Sequence, residues 1–202
     1  MATSPTQIAN LALSWIGQNQ INALGDNQTE AIVMNANFDL SRDKVLNDYP
    51  WTFAIRREIL APIVPAPAFG YDNQFLIPSD VLYVHRVFRP ESSGGLFTSR
   101  TKNLPNANWE REGQHILTNE AVIHCIFVVQ ITNADLFSPS FRHALAARLA
   151  ADTALTFTEN RKLKEDMEIM YQTKLADAAF SDGRQGRTER VQSKILTGTR
   201  RR

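Results

Sequence analysis

The chain has 202 residues, 43% hydrophobic and 21% charged, enough apolar material for one substantial domain or two small ones sharing a core. No apolar run approaches the roughly 20 residues that cross a bilayer. The opening MATSPTQIAN lacks the basic and apolar regions of a secretory signal, so neither a membrane partner nor export is expected.

Cys125 is the single cysteine, which excludes a disulfide within this chain and any cysteine-rich zinc site. It lies in the apolar run 123–129 and reads as a small buried hydrophobe in a reducing cytoplasm. The net charge of +1 conceals a segregation. Residues 183–202 hold Arg184, Arg187, Arg190, Lys194, Arg200, Arg201 and Arg202 against Glu189 alone, a charge of +6, which leaves the rest of the chain at −5. A slightly acidic body with a basic tail implies that the tail meets something the body does not.

The first predicted element is an amphipathic helix. Ser4 suits its cap, Pro5 the first turn and Gln7 a capping box. Ile8, Leu11, Ala12, Trp15 and Ile16 then share one face, and Gly17 ends it. A second helix is expected over 29–48, with Asp26 or Asn27 near its cap, a stripe of Ala31, Met34, Phe38, Val45 and Tyr49, and Pro50 as its stop. WTFAI (51–55), aromatic and β-branched, reads as a strand. APIVPAPAFG (61–70) has three prolines and reads as a connector. QFLIP (74–78) and VLYVHRV (81–87) read as two strands around the turn 78–80. Residues 89–108, rich in Gly, Pro, Ser and Asn, read as a long exposed loop.

Three short strands in a meander are expected next: 108–112, 115–118 and 122–131. In the last, Ile123, Cys125, Phe127, Val129 and Ile131 form the clearest core face of the chain. Helix returns at Ser138-Pro139, with Phe141, Leu145, Leu149, Asp152 and Leu155 at helical spacing and many alanines for close packing. A final helix over 160–180 places Leu163, Met167, Met170, Tyr171 and Leu175 on one side. Short helices gain most of their stability by packing an apolar face. The expected fold is therefore α+β. Residues 1–50 and 138–182 form a four-helix bundle from both chain ends, 51–137 an inserted antiparallel β subdomain, and 183–202 an extended basic tail. Trp51 and Phe53, directly after the helix stop, are expected to be buried where bundle and insert meet.

The chemistry-bearing residues point away from catalysis. Gly94-Gly95 lacks the continuation of a phosphate-binding loop. His85, His115, His124 and His143 do not have metal-ligand spacing, and no GxSxG elbow is present. Glu110 and Glu112 stand two residues apart on one strand, about 7 Å by strand rise, which overlaps the spacing of an inverting glycosidase pair. Flanked by Arg111 and a polar turn, they read as a solvated edge. No catalytic, metal or cofactor site is expected.

The tail has three readings. Arg184, Arg187 and Arg190 recur every three positions and could contact phosphates without sequence specificity. Alternatively Val191, Ile195 and Leu196 could anchor it on a protein while the arginines and Lys194 pair with acidic groups, the tail ordering on binding. The third reading is a solubilising terminus. In the 89–108 loop, Leu96 and Phe97 stand in polar sequence and are expected to face a neighbouring copy or a partner.

Several segments in order carry a resemblance: WIG (15–17), YPWTFAIRR (49–57), FGYDNQFLIPSDVLYV (69–84), GQHILTNE (113–120) and FSPSFRHALAARLAADTA (137–154). The series resembles the tail tubular protein A family, the head-to-tail adaptors of short-tailed bacteriophages, over about residues 5–180; Ile77 stands where that series has leucine before proline. The resemblance implies a structural virion protein of the tail, assembled in the host cytoplasm. It implies a ring of twelve copies between the portal protein and the tail nozzle protein, with genomic DNA passing through the lumen and the C-terminal tail reaching the portal. A tail-associated peptidoglycan hydrolase and a small DNA-binding protein are the alternatives.

Overall fold

The computed structural model describes residues 4–90 and 106–185. Among these, the chain is a mixed α+β fold of four helices and two small antiparallel sheets of three strands. Helix α1 (Pro5–Trp15) and α2 (Thr29–Asp48) come first. Strands β1 (Ile55–Leu60), β2 (Asn73–Leu76), β3 (Val81–Phe88), β4 (Glu110–Glu112), β5 (His115–Thr118) and β6 (Ile123–Val129) follow. Helices α3 (Pro139–Thr158) and α4 (Arg161–Gly183) complete the order.

The helix ends follow local chemistry. The Ser4 hydroxyl accepts from the Gln7 N–H at 3.2 Å, and the Gln7 side chain accepts from the Ser4 N–H at 3.3 Å, the reciprocal box expected of that spacing. Gly17, at φ +72, turns the chain after α1. The cap expected for α2 is corrected: Gln28 occupies it without a side-chain bond, and the Asp26 carboxylate instead accepts from the Ala23 N–H. Ser138 caps α3, and Asn160 caps α4 by accepting from the N–H groups of Lys162 and Leu163. Helix α4 runs to Gly183, three residues beyond the expected end.

Helix α3 is central, packed against α1, α2 and α4. Its alanines at 144, 146, 147, 150, 151 and 154 are buried on several sides, which lets three helices approach it closely. From α2 the core receives Ala31, Met34, Phe38, Val45 and Leu46. Leu155, placed on the apolar stripe of α3 by spacing, is instead exposed, while its neighbours Ala154 and Phe157 turn toward the helical core.

The segment 51–55 is not a strand. Thr52–Ala54 form a 3-10 turn and β1 starts only at Ile55. The aromatic run marks packing, not extension, although Phe53, expected to be buried, is only half-buried. Trp51 is fully buried and its indole N–H donates to the Val45 carbonyl at 2.8 Å, with Phe53 and Phe141 packed around it. Holding both Trp51 and Ala54 in the helical core requires the chain to fold back there.

The expected meander is also corrected. β5 pairs β4 and β2 in one sheet, ordered β2-β5-β4, whereas β6 leaves to sit between β1 and β3 in the other, ordered β1-β6-β3. The 78–80 turn likewise joins strands of different sheets. It is held by Arg56, whose guanidinium donates to both Asp80 carboxylate oxygens. The cause is visible in β6. Ile123, Cys125, Phe127 and Val129 bury themselves toward the β2-β5-β4 sheet, while Val128 on the opposite face enters the helical core. A strand that sends buried apolar side chains to both faces belongs in the middle of a sheet. Two apolar cores result, one among the helices and one between the sheets, with β6 contributing to both.

Candidate functional site

The C-terminal end of α4 is anchored by a buried carboxylate. Asp182, 2% exposed, accepts from the Thr52 N–H at 3.0 Å and from the Thr52 hydroxyl at 2.8 Å, so it caps the 3-10 turn that follows Trp51. The Tyr49 hydroxyl lies close by. Burial and then the Asp182 charge push its pKa above the ordinary phenol value. Arg184 follows at the helix cap, its guanidinium 6.0 Å over the Phe180 ring. The described end of the chain therefore follows a tethered helix end beside the helical core. Of the tail residues singled out from sequence, only Arg184 is described; Arg187, Arg190, Val191, Lys194, Ile195, Leu196, Arg200, Arg201 and Arg202 lie outside the described residues.

Asp182→Ala would leave two donors on Thr52 without their acceptor. Its unfolding free energy is expected to fall by about 1–3 kcal/mol, the cost of stranding buried polar partners. Urea denaturation of the variant measures this, and an unchanged midpoint would show that the anchor does not hold α4.

The long loop leaves the end of β3 and returns along its edge. Asn106 bridges to Phe88, and the Ala107 N–H donates to the Val87 carbonyl at 3.1 Å. A cleft of about 510 Å³ opens at this root, lined by His85, Arg86, Val87, Asn106, Ala107 and Trp109. Burial, with the charge of Arg86, lowers the His85 pKa, which keeps it neutral to lower pH than a free imidazole. Leu96 and Phe97 lie outside the described residues.

A polar seam joins three helices. The Ser41 hydroxyl of α2 donates to Asp152 of α3 at 2.7 Å, and Arg148 bridges Asp152 to Glu168 of α4. Arg148 also lies 5.4 Å over the Tyr171 ring, whose hydroxyl donates to Asp48. Burial and the Asp48 bond raise the Tyr171 pKa, so the phenol stays protonated as a donor. The i,i+4 spacing of Arg148 and Asp152 was the only sequence signal for this seam.

The chain matches no protein-family model and no curated relative.

The remaining candidates are spread apart. Glu110 and Glu112 are exposed on β4, an edge strand of three residues. His85 and His124 lie on β3 and β6, His115 on β5, and His143 on α3 beside Trp15. Among the described residues, no group of three or more His, Cys, Asp or Glu could hold a metal ion, and no helix is long and apolar enough to cross a membrane. Cys125 is buried and its thiol is pushed up to about 12, chiefly by burial. Glu110→Gln with Glu112→Gln is expected to change stability by less than about 0.5 kcal/mol, as for exposed positions generally. A cell-wall-degrading activity present in the native chain and lost in that double variant would overturn the non-catalytic reading.

Sequence reasoning missed several exposed apolar side chains: Val64 and Phe69 on the connector, Ile32 and Leu40 on α2, Ile59 on β1, and Ile169 and Phe180 on α4. Val64 and Phe69 sit in a proline-rich context that hid them from a search for apolar periodicity.

Proposed function

We propose that the chain is a structural, non-catalytic virion protein: a head-to-tail adaptor of a short-tailed bacteriophage. In this reading twelve copies form a ring that joins the portal to the tail nozzle and lines the channel through which the genome leaves. The helices from both chain ends form the bundle of the subunit, the strands an insert within it, and the basic C-terminal segment the arm that reaches the portal. The ordered series of segments from WIG to FSPSFRHALAARLAADTA carries the family assignment.

The observation that best supports the docking role is the placement of Asp182. It ties the last turn of α4 to Thr52 beside the helical core, and all the excess positive charge follows it. A charged arm rooted in a rigid body transmits its attachment to that body, whereas a merely solubilising terminus needs no root. The exposure of Glu110 and Glu112 favours this reading over a hydrolase, because a general acid needs a raised pKa and a sheltered site.

Electron microscopy of the purified protein mixed with its portal ring tests the proposal. A second ring of density beneath the portal is expected. Free portals beside unassembled protein, at concentrations where both are folded, would refute it.

A further inference from the structure

The β1-β6-β3 sheet buries Ile123, Cys125, Phe127 and Val129 on one face and is covered only in part on the other. On the second face Val128, with Leu82 and Tyr83, packs into the helical core. Two rows beyond it are exposed or half-buried among the described residues. By register, one row holds Arg57, Ile126 and Arg86, and the next holds Ile59, His124 and Phe88. Residues directly opposed in an antiparallel pair share a face. Arg57 and Arg86 are exposed, Ile59 is 69% exposed, and Ile126, His124 and Phe88 are half-buried. These rows contain no carboxylate. The one acidic residue of the three strands, Glu58, is opposite Cys125 on the other face and beside Arg56.

A second uncovered surface runs along α4. Asp166, Ile169, Thr173, Asp177 and Phe180 recur at three- and four-residue spacing on the side turned away from Met167, Tyr171, Ala178 and Asp182, which are buried. The stripe is about 21 Å long at the helical rise, with Lys162 beyond one end and Arg184, its guanidinium 6.0 Å over the Phe180 ring, at the other. Ile169 and Phe180 are 66% and 72% exposed. None of Arg57, Arg86, Asp166 and Asp177 forms an ion pair among the described residues.

One chain thus carries two surfaces that each expose large apolar side chains. One offers free guanidinium groups and the other free carboxylates. Each is complementary to the other and not to itself. We propose that the outer face of α4 on one copy docks on the open face of the β1-β6-β3 sheet of the next. Asp166 and Asp177 approach Arg57 and Arg86, while Ile169 and Phe180 cover Ile59, Ile126 and Phe88. Because the two surfaces differ, the contact is head-to-tail. Every added copy leaves one of each surface free, so assembly continues until its rotation closes a ring. Closure rests on the adaptor reading; the contact itself rests on the two surfaces. Duplex nucleic acid could also engage the arginines, but it has no use for three adjoining apolar side chains.

Two full-length variants test the contact: Arg57→Glu with Arg86→Glu, and Asp166→Lys with Asp177→Lys. Sedimentation velocity is run over a concentration series, alone and with portal, and circular dichroism melting verifies folding. The native chain is expected to assemble. Each variant alone should sediment as monomer with an unchanged melt, and an equimolar mixture should regain native assembly, since every contact in an alternating order then pairs opposite charges. Arg57→Gln with Arg86→Gln, which should weaken assembly without abolishing it, serves where reversal perturbs folding.

Variants that assemble like the native chain would refute this interface and leave the ring standing. Folded variants that no mixture rescues would refute the pairing of the two surfaces. A native chain that stays monomeric even with portal would remove both the contact and the ring. Unchanged assembly with lost retention on duplex DNA in the arginine variant would assign the sheet face to nucleic acid instead.

Discussion

Trp51→Ala should lower the free energy of unfolding by about 3–5 kcal/mol, the range for removing a large buried aromatic side chain. The residue is fully buried and meets Tyr49 at 5.0 Å and Phe141 at 5.0 Å between ring centroids, both edge-on, with Phe53 stacked at 6.1 Å. Phe53, Phe137 and Phe141 contact one another in turn, so the vacated space would be walled by rings that cannot easily collapse into it. A polar cost adds to the apolar one. Val45 lies in the last turn of α2, where carbonyls lack a partner within the helix, and the Trp51 indole satisfies it at 2.8 Å. Trp51→Phe separates the two contributions. It keeps most of the ring burial and strands the carbonyl, with an expected cost of about 1–3 kcal/mol. Urea unfolding monitored by far-ultraviolet circular dichroism reports both variants. A loss below about 1 kcal/mol for Trp51→Ala would mean that this cluster does not hold the junction together.

The same residues show what could be read from sequence and what could not. The starts of α1 and α3 and the end of α2 follow from signals within a few residues: Ser4 with Gln7, Ser138 with Pro139, and Pro50. The alternation in β6 correctly marked Ile123, Cys125, Phe127 and Val129 as core. It could not reveal that Val128 is buried on the opposite side, because that depends on which helix lies there. Composition misled at 51–55: an aromatic, β-branched run has the same signature whether it extends in a sheet or folds into a buried turn. The real strand, β1, carries Arg56, Arg57 and Glu58, and the reading at 51–55 stopped at its first residue. Asp182 was invisible for a related reason. Its partner is Thr52, 130 positions away, and nothing near either residue announces the pairing. Of the candidate binding residues, those of the tail were legible as a charge asymmetry alone. The open sheet face required the register to be known.

Truncation after Gln185 should leave the body folded and abolish attachment to the portal. The cut preserves Asp182 with both its bonds to Thr52, and Arg184 at the cap of α4, so the junction and the polar seam keep all their contacts. Thermal melting of the truncated chain is therefore expected to match that of the full chain. What is removed includes Arg187, Arg190, Lys194, Arg200, Arg201 and Arg202, together with Val191, Ile195 and Leu196. If the arm docks by pairing those cations with acidic groups on the portal, neutralising Arg200, Arg201 and Arg202 alone should weaken binding, and more so at low salt than at high. Exposed charges act over a screening length of about 8–10 Å near physiological ionic strength, so added salt erases part of the difference. The apolar triad supplies a contribution that salt does not remove, which predicts residual binding of that variant where the truncation shows none. Asp182→Ala tests the root independently: the arm is intact but its base is loosened, so portal capture should weaken and the body should melt at a lower temperature. A DNA-binding tail makes the opposite forecast, with truncated rings still attaching while retention of the genome suffers. Pull-down with portal at two salt concentrations, comparing the full chain, the truncation and the arginine variant, separates these outcomes. Undiminished capture of the truncated chain at both concentrations would show that the body, not the arm, holds the portal.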